Sequence, residues 1–384
     1  MKTSDTTVPC VIMRAGTSKG LFFHAEDLPE AGPRRDCLLK RIMGTPDRLQ
    51  IDGLGGSRPI TSKIAIISRS GRADADVDYL FAQASVESDD ISYSGNCGNI
   101  SAGVGPFAID EGLVAVNGDV TAVRIHNVNT GKVIVARVPT ASGQADVTGK
   151  VRVPGVPGTG AGILLDYSHT AGAKTGAVLP TGNPVDEITL EDGHVLRATL
   201  CDVANPCVWV SSEELGVDGA ILSDDINADD ALLERIEEIR ARAAVMMGFC
   251  KHWREAEVRS PGLPMLGFLS PPRTYRDDNG EEVRGSDIDL MARLIFMGRC
   301  HESFAGTASI CLAASSRLPG TLTHQFCRRS GDQLVIGHPL GAMRVDVEAN
   351  RNNDGFVRLG VIRTARRLMK GEAFVPGGIA SDND

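Results

Sequence analysis

A chain of 384 residues, 42% of them hydrophobic, has length for two or three packed domains. A formal charge of −9 and only 4% aromatic residues exclude a basic, base-stacking nucleic-acid surface. With a polar start at Met1–Thr7 and no 18-residue apolar run, neither a secretory leader nor a membrane span is expected.

Nine cysteines, odd in number, irregularly spaced and without a CxxC pair, read as the reduced thiols of a cytoplasmic protein. Eight scattered histidines form no HExxH or HxH pair, so no metal centre is expected. Only the tail, Ala380–Asp384, reads as disordered.

Val8–Met13 and Leu21–His24 read as strands around the turn Arg14-Ala15-Gly16-Thr17-Ser18-Lys19-Gly20. That turn lacks the order of a phosphate loop and lies between strands. It is either a simple hairpin or a hydroxyl- and amide-rich turn that holds a carboxylate. Asp36–Met43 predicts a short helix with Leu38, Leu39, Ile42 and Met43 on one face, ended by Gly44-Thr45-Pro46. The glycines at Gly53, Gly55 and Gly56 cost backbone entropy unless something approaches closely. Lys63 then opens the strand Ile64–Ile67. A lysine at a strand end is by default solvated. Thr61, Ser62 and the glycine loop beside it make a buried amine of lowered pKa the alternative, because a reference amine near 10.4 is too basic to act at neutral pH.

The strand Asp78–Glu87 leads into Ser94-Gly95-Asn96-Cys97-Gly98-Asn99 and the small-residue run Ile100–Ile109, stopped at Asp110-Glu111-Gly112. A thiol at a helix N-terminus between glycines meets free N–H groups and the positive dipole end, which favour an anion and lower a cysteine's pKa. The alternative is a buried structural cysteine beside a tight turn. Val114–Val120, Thr121–Asn127 and Lys132–Pro139 predict a strand meander. Gly158, Gly160 and Gly162 do not complete a dinucleotide fingerprint. Gly176–Pro184 reads as a crossover between halves.

Beyond it, Glu187–Leu190, Val195–Leu200 and Cys207–Val210 are predicted strands, with a turn at Asn205-Pro206. Asn227 is placed to cap an amphipathic helix, Ala228–Met247, whose apolar stripe is Leu232, Ile236, Ile239, Ala243 and Met246. After strands at Pro264–Leu269 and Ile288–Met297, Cys300–Ala314 repeats the strand-to-small-helix junction seen at Cys97, with Cys311 inside the apolar helix. Two such junctions predict an internal duplication. Strands Gln333–Ile336, Met343–Val347 and Gly355–Arg363 close the chain.

Several of these segments are motifs: Met13–Gly20, Gln50–Gly56, Thr61–Lys63, Asp76–Tyr79 and Asn96–Asn99 running on to Val104–Ile109. Leu179–Asn183, Gly337–Pro339 and Thr364–Arg367 follow. Together they resemble the PrpF-type Δ-isomerases, whose members include 2-methylaconitate isomerase, 4-oxalomesaconate tautomerase and 3-methylitaconate isomerase. The resemblance implies an α+β, diaminopimelate epimerase-like fold of two similar domains, each with β-strands wrapped around a central helix. The domains would be 1–180 and 181–384, with the last strand able to return to the first domain and the active site in the cleft between them.

Racemases and epimerases of that fold use one cysteine at each helix N-terminus. Cys97 fits the first, but Ala305-Gly306-Thr307 places alanine where the second would stand. The PrpF-like branch is implied to use a lysine near the first cysteine, and Lys63 occupies that place. The implied activity is a cofactor-independent isomerase. It shifts a C=C bond by 1,3-allylic proton transfer in an unsaturated di- or tricarboxylate such as 2-methylaconitate or aconitate. A 4-oxalomesaconate tautomerase is the alternative, ahead of a cysteine-dependent racemase or a non-catalytic tricarboxylate-binding protein. Lys63 and Cys97 are the implied catalytic pair, and Arg14, Thr17, Ser18, Ser62, Asn96, Gly98, Asn99, Gly306 and Thr307 the implied substrate contacts. No metal or cofactor is called for, and a homodimer is left open without a motif to specify it.

Overall fold

The computed structural model describes residues 6–172, 174–328, 331–350 and 355–376, so the tail expected to be disordered and the first five residues lie outside it. The chain divides into two units, one holding the residues up to Leu165 and those from Ile362 onward, the other Asp166–Val361. The boundary expected from sequence stood at 180/181.

In the first unit, Thr6–Ala15 and Ser18–His24 form a hairpin closed by Gly16 and Thr17 alone, since Ala15 already pairs with Ser18. Ser18–His24 runs parallel to Lys63–Arg69, which pairs antiparallel with Val77–Ala84. The sheet continues through Val120–Asn127 and Lys132–Ala141. On its other side Thr6–Ala15 pairs along its whole length with Ala365–Val375.

The helix Gly98–Asp110 packs inside these strands, with every residue from Gly98 to Ile109 buried. A helix apolar all round belongs in a core, and its small residues let the strands close in. A methyl added at Gly103 would strike the Phe22 ring, and one at Gly105 would strike Val138. The opposite sheet face, carrying Leu21, Phe23, Ile64 and Ile66, is covered by the helix Pro33–Met43 through Leu38, Leu39, Ile42 and Met43. That helix starts three residues before the expected Asp36, because a proline at its first position is pre-organised for it.

The second unit repeats the plan. Val195–Val203 and Asn205–Ser211 form a hairpin turning on Ala204 at φ 60°. The sheet continues through Met265–Ser270, Leu290–Phe296, Gln333–His338 and Gly341–Ala349. The fully buried helix Gly306–Ser315 packs against Val195–Val203, Asn205–Ser211 and Gly341–Ala349. Leu232, Ile236, Ile239 and Ala243 of the helix Asp230–Met246 pack on Leu200, Val208, Leu266 and Phe268. This is the α+β arrangement, strands around a helix in each half, that the motifs imply.

Local expectations differ at five places. Val114–Val120 is not a strand: the N–H groups of Leu113 and Val114 both return to the Ala108 carbonyl to close the helix end, and the strand begins at Val120. Asn205 and Pro206 already lie in a strand, the turn being one residue earlier. Asp229, not Asn227, caps the long helix by accepting from the Leu232 N–H at 3.0 Å, while Asn227 Oδ1 accepts from the Cys300 N–H at 2.8 Å. Met246 leaves the apolar stripe and is 36% exposed. The strand Ala365–Val375 has no counterpart in the expected elements, because Arg366, Arg367, Lys370 and Glu372 break its apolar alternation.

Candidate active site

Lys63 is the first residue of its strand and is buried, 5% exposed. Its Nζ donates to Gln83 Oε1 at 2.9 Å and lies 5.4 Å from the centre of the Phe81 ring. Register explains both contacts: Lys63 pairs directly with Gln83 across the sheet, and Phe81 lies two residues away on the same face. Gln83 Nε2 points at the carbonyls of Pro59, Ser62 and Ala84 at 3.0–3.1 Å. The adjacent Ser62 is fully buried and donates to Gln50 Oε1 at 2.6 Å.

The glycine loop accounts for this crowding. A Cβ at Gly55 would lie 2.2 Å from Gln50 Oε1, and one at Gly53 would lie 2.2 Å from the Gly44 nitrogen. The close approach that these glycines permit is therefore made by the Gln50 amide and by the end of the Pro33–Met43 helix.

Cys97 caps the central helix of the first unit, and its Sγ accepts from the Ile100 N–H at 3.5 Å. Gly98 and Asn99 follow as the first helical residues. Asn99 Nδ2 donates to Thr17 Oγ1 at 2.9 Å, and Asn99 Oδ1 accepts from Arg363 Nε at 3.3 Å. Gly16 must be glycine for that latch: its φ is +53°, and a Cβ would fall 2.1 Å from Asn99 Oδ1. Asn96 is buried and its Oδ1 accepts from Asn127 Nδ2 at 3.0 Å. Ser18 is buried and its Oγ has no hydrogen-bond partner among the described residues.

The Arg14 guanidinium binds the Thr364 carbonyl and hydroxyl and the Gly16 carbonyl through Nη1, pinning the hairpin turn to the returning strand. Burial and the neighbouring Arg366 charge hold it below the ordinary arginine value. Gly20 joins the two groups of residues, since a Cβ there would lie 2.6 Å from the Lys63 carbonyl and 3.2 Å from the Ile100 side chain.

Gly306 and Thr307 open the helix of the second unit. Thr307 Oγ1 accepts from Asn205 Nδ2 at 3.1 Å, and the capping position is Ala305. Cys300 packs in the core of this unit, where burial pushes its thiol pKa up to about 12 despite the nearby Arg293 charge. Cys311 is likewise buried, its thiol donating to the Cys201 carbonyl. A surface groove in the second unit, between Ile188 and Trp253, contains none of the expected site residues.

Sequence reasoning missed Gln83, Gln50, Asn127 and Arg363. Arg363 and Gln83 carry no local motif, but Gln50 lies inside a recognised segment and could have been found there. Among the described residues, no group of three or more His, Cys, Asp or Glu could hold a metal ion, and no helix is long and apolar enough to cross a membrane.

Comparison with known proteins gives a consistent picture. The family model described as PrpF protein matches residues 5–376. A 3-methylitaconate isomerase of Eubacterium barkeri is 47% identical over 372 residues, covering 96% of this chain and 97% of its own. A 2-methyl-aconitate isomerase of Shewanella oneidensis is 40% identical over 386 residues, with coverages of 96% and 97%. A crystal structure of a methylitaconate-delta-isomerase superposes with a TM-score of 0.83 at 45% identity, covering 99% of this chain and 98% of that one.

Proposed function

The chain belongs to the PrpF family, and from that premise we propose that it is a cofactor-independent isomerase moving a C=C bond by 1,3-allylic proton transfer within an unsaturated di- or tricarboxylate. The observation carrying this reading is the buried Lys63 amine, held by the neutral amide of Gln83 in the same unit as a helix capped by a thiol. As the neutral amine, Lys63 takes a proton from the carbon allylic to the double bond. The electron pair left behind delocalises over the allyl system and the attached carboxylate. The same proton, or one from solvent, is returned at the far allylic carbon, so the double bond has moved and the overall charge is unchanged.

The intermediate carries more negative charge than the substrate, so donors must be in place before it forms. The N–H groups of Gly98 and Asn99 and the hydroxyls of Thr17 and Ser18 are the donors assigned here in the first unit. Arg14 supports them by fixing the turn. Gly306 and Thr307 are assigned as carboxylate-binding residues of the second unit, and Ser62 and Asn96 support the residues of the first unit through their buried hydrogen bonds. Cys97 is assigned to the same step, either as a second acid/base when the returned proton comes from solvent or as a hydrogen-bond donor that stabilises the dienolate. A two-thiol racemase is disfavoured, since the corresponding helix is capped by Ala305 and Cys300 is a core thiol.

The test is proton NMR in D2O with 2-methylaconitate, 3-methylitaconate, aconitate and 4-oxalomesaconate, using the wild type and Lys63→Ala. Double-bond migration or deuterium uptake by the wild type is expected, falling at least about 10²–10⁴-fold in the variant. The acid that reacts identifies the substrate, and 4-oxalomesaconate alone would establish the tautomerase. No exchange into any of the four by the wild type overturns the reading.

A further inference from the structure

Gln83 accepts a hydrogen bond from the proposed base, and no motif marks it. It is 4% exposed, and its Nε2 faces three carbonyl oxygens, those of Pro59, Ser62 and Ala84. An amide nitrogen has donors only, so this ring of acceptors fixes which way the amide points. The oxygen must then face Lys63 Nζ, 2.9 Å away. Lys63 makes no ion pair among the described residues. A neutral acceptor can bind either an ammonium or an amine through one N–H, whereas a carboxylate would favour the ammonium alone. Holding one N–H also limits rotation of the amine about its last C–N bond.

We propose that Gln83 is the positioning residue of the proton transfer: its side-chain oxygen fixes the Lys63 amine so that removal and return of the proton proceed from one orientation. This rests on the functional reading above. A tether of this kind acts on the chemical step and leaves substrate affinity to the anion-binding donors, because near-attack geometry governs the rate once substrate is bound.

The experiment compares the wild type, Gln83→Met and Gln83→Glu, each checked for folding by circular dichroism. Met preserves the volume and removes the acceptor, while Glu keeps an oxygen at the same reach. In Gln83→Met, kcat is expected to fall by about a hundredfold with KM changed less than about threefold. Gln83→Glu, whose carboxylate favours the ammonium, is expected to lose kcat at neutral pH and to recover it as pH rises. A purely structural role would leave both variants with the pH profile of the wild type.

A second measurement needs no substrate and no substitution at Gln83. In protein labelled with ¹⁵N-lysine, a hydrogen-bonded Lys63 Nζ, assigned by its loss in Lys63→Arg, is expected to give a cross peak protected from solvent exchange. Absence of that peak in the wild type, a kcat for Gln83→Met within about threefold of the wild type, or an unshifted pH profile for Gln83→Glu overturns the proposal. A wild type inert toward every acid, yet showing the protected peak, removes the functional reading and leaves the Lys63–Gln83 tether standing.

Discussion

Cys97 and Ala305 hold the same position in two different helices: each is the N-cap, each is followed by glycine, and each stands two residues before a side chain latched to a hairpin. In the first unit the helix supplies the amide, Asn99, and the hairpin the hydroxyl, Thr17. In the second the helix supplies the hydroxyl, Thr307, and the hairpin the amide, Asn205. The latch is kept with its partners exchanged, while the thiol is present at one cap and a methyl at the other. Under the proposed mechanism this asymmetry leaves Cys97 without a matching thiol and gives the lysine its role.

The cap and the chemistry at Cys97 can be separated. Cys97→Ala removes the acceptor of the Ile100 N–H and should lower stability by about 0.5–2 kcal/mol. Cys97→Ser keeps an acceptor and should unfold close to the wild type. Both should lose about 10²–10⁴-fold in isomerisation, since a hydroxyl is a far weaker acid than a thiol. Thermal melts and deuterium incorporation measure the two effects; a fully active Ser variant would remove the thiol from proton transfer.

Gly16→Ala should destabilise by at least about 1–2 kcal/mol, the cost of placing a side chain in the left-handed region, with the clash against Asn99 added. Urea unfolding is the measurement. Stability within about 0.5 kcal/mol of the wild type, well under that cost, would mean that the turn relaxes freely and the latch does not constrain it.

The Asn205–Thr307 latch should show coupling of about 0.5–1.5 kcal/mol in a double-mutant cycle of Asn205→Ala and Thr307→Val, because both groups are buried and either one alone leaves a polar partner behind. Strict additivity would show that the contact adds nothing.

Glu111 caps the C-terminal end of the helix Gly98–Asp110, where the dipole opposes a negative charge. Burial also works against its ionised form, yet hydrogen bonds from Lys370 and His24 and the Arg367 charge outweigh both and leave its pKa below the ordinary glutamate value. A lowered folded-state pKa gives stability that is present above the unfolded value, about 4.3, and is lost as pH falls through the folded value. The stability difference between the wild type and Glu111→Gln should therefore be largest near neutral pH and shrink below about pH 4. A difference constant from pH 7 to about pH 3 would contradict this assignment.

Much of the architecture was readable because it is local. The helix around Ile236 and Ile239 shows its period in the chain itself, and the two glycine-opened helices stand out against polar flanks. Lys63 and Cys97 were legible from their neighbours and from resemblance. Gln83 was not, because a single glutamine in a strand acquires meaning only from the register that sets it opposite Lys63. Arg363 meets Asn99 only after the chain has passed through the whole second unit. The glycine loop was recognised as a place of close approach, but only the folded chain reveals that the visitor is its own Gln50.

The pairing of Thr6–Ala15 with Ala365–Val375 also sets an order for biosynthesis. The second unit is one uninterrupted stretch and has its strands once Arg363 leaves the ribosome, whereas the first unit lacks a strand until Ala365–Val375 has been made. The half bearing Lys63 and Cys97 is thus begun before the second unit and completed after it. Until then the nascent chain carries an open β-edge along Thr6–Ala15, a surface prone to pair with other chains. A ribosome that stalls or a message truncated before Ala365 would release a polypeptide with every proposed catalytic residue in place and no finished sheet to hold them.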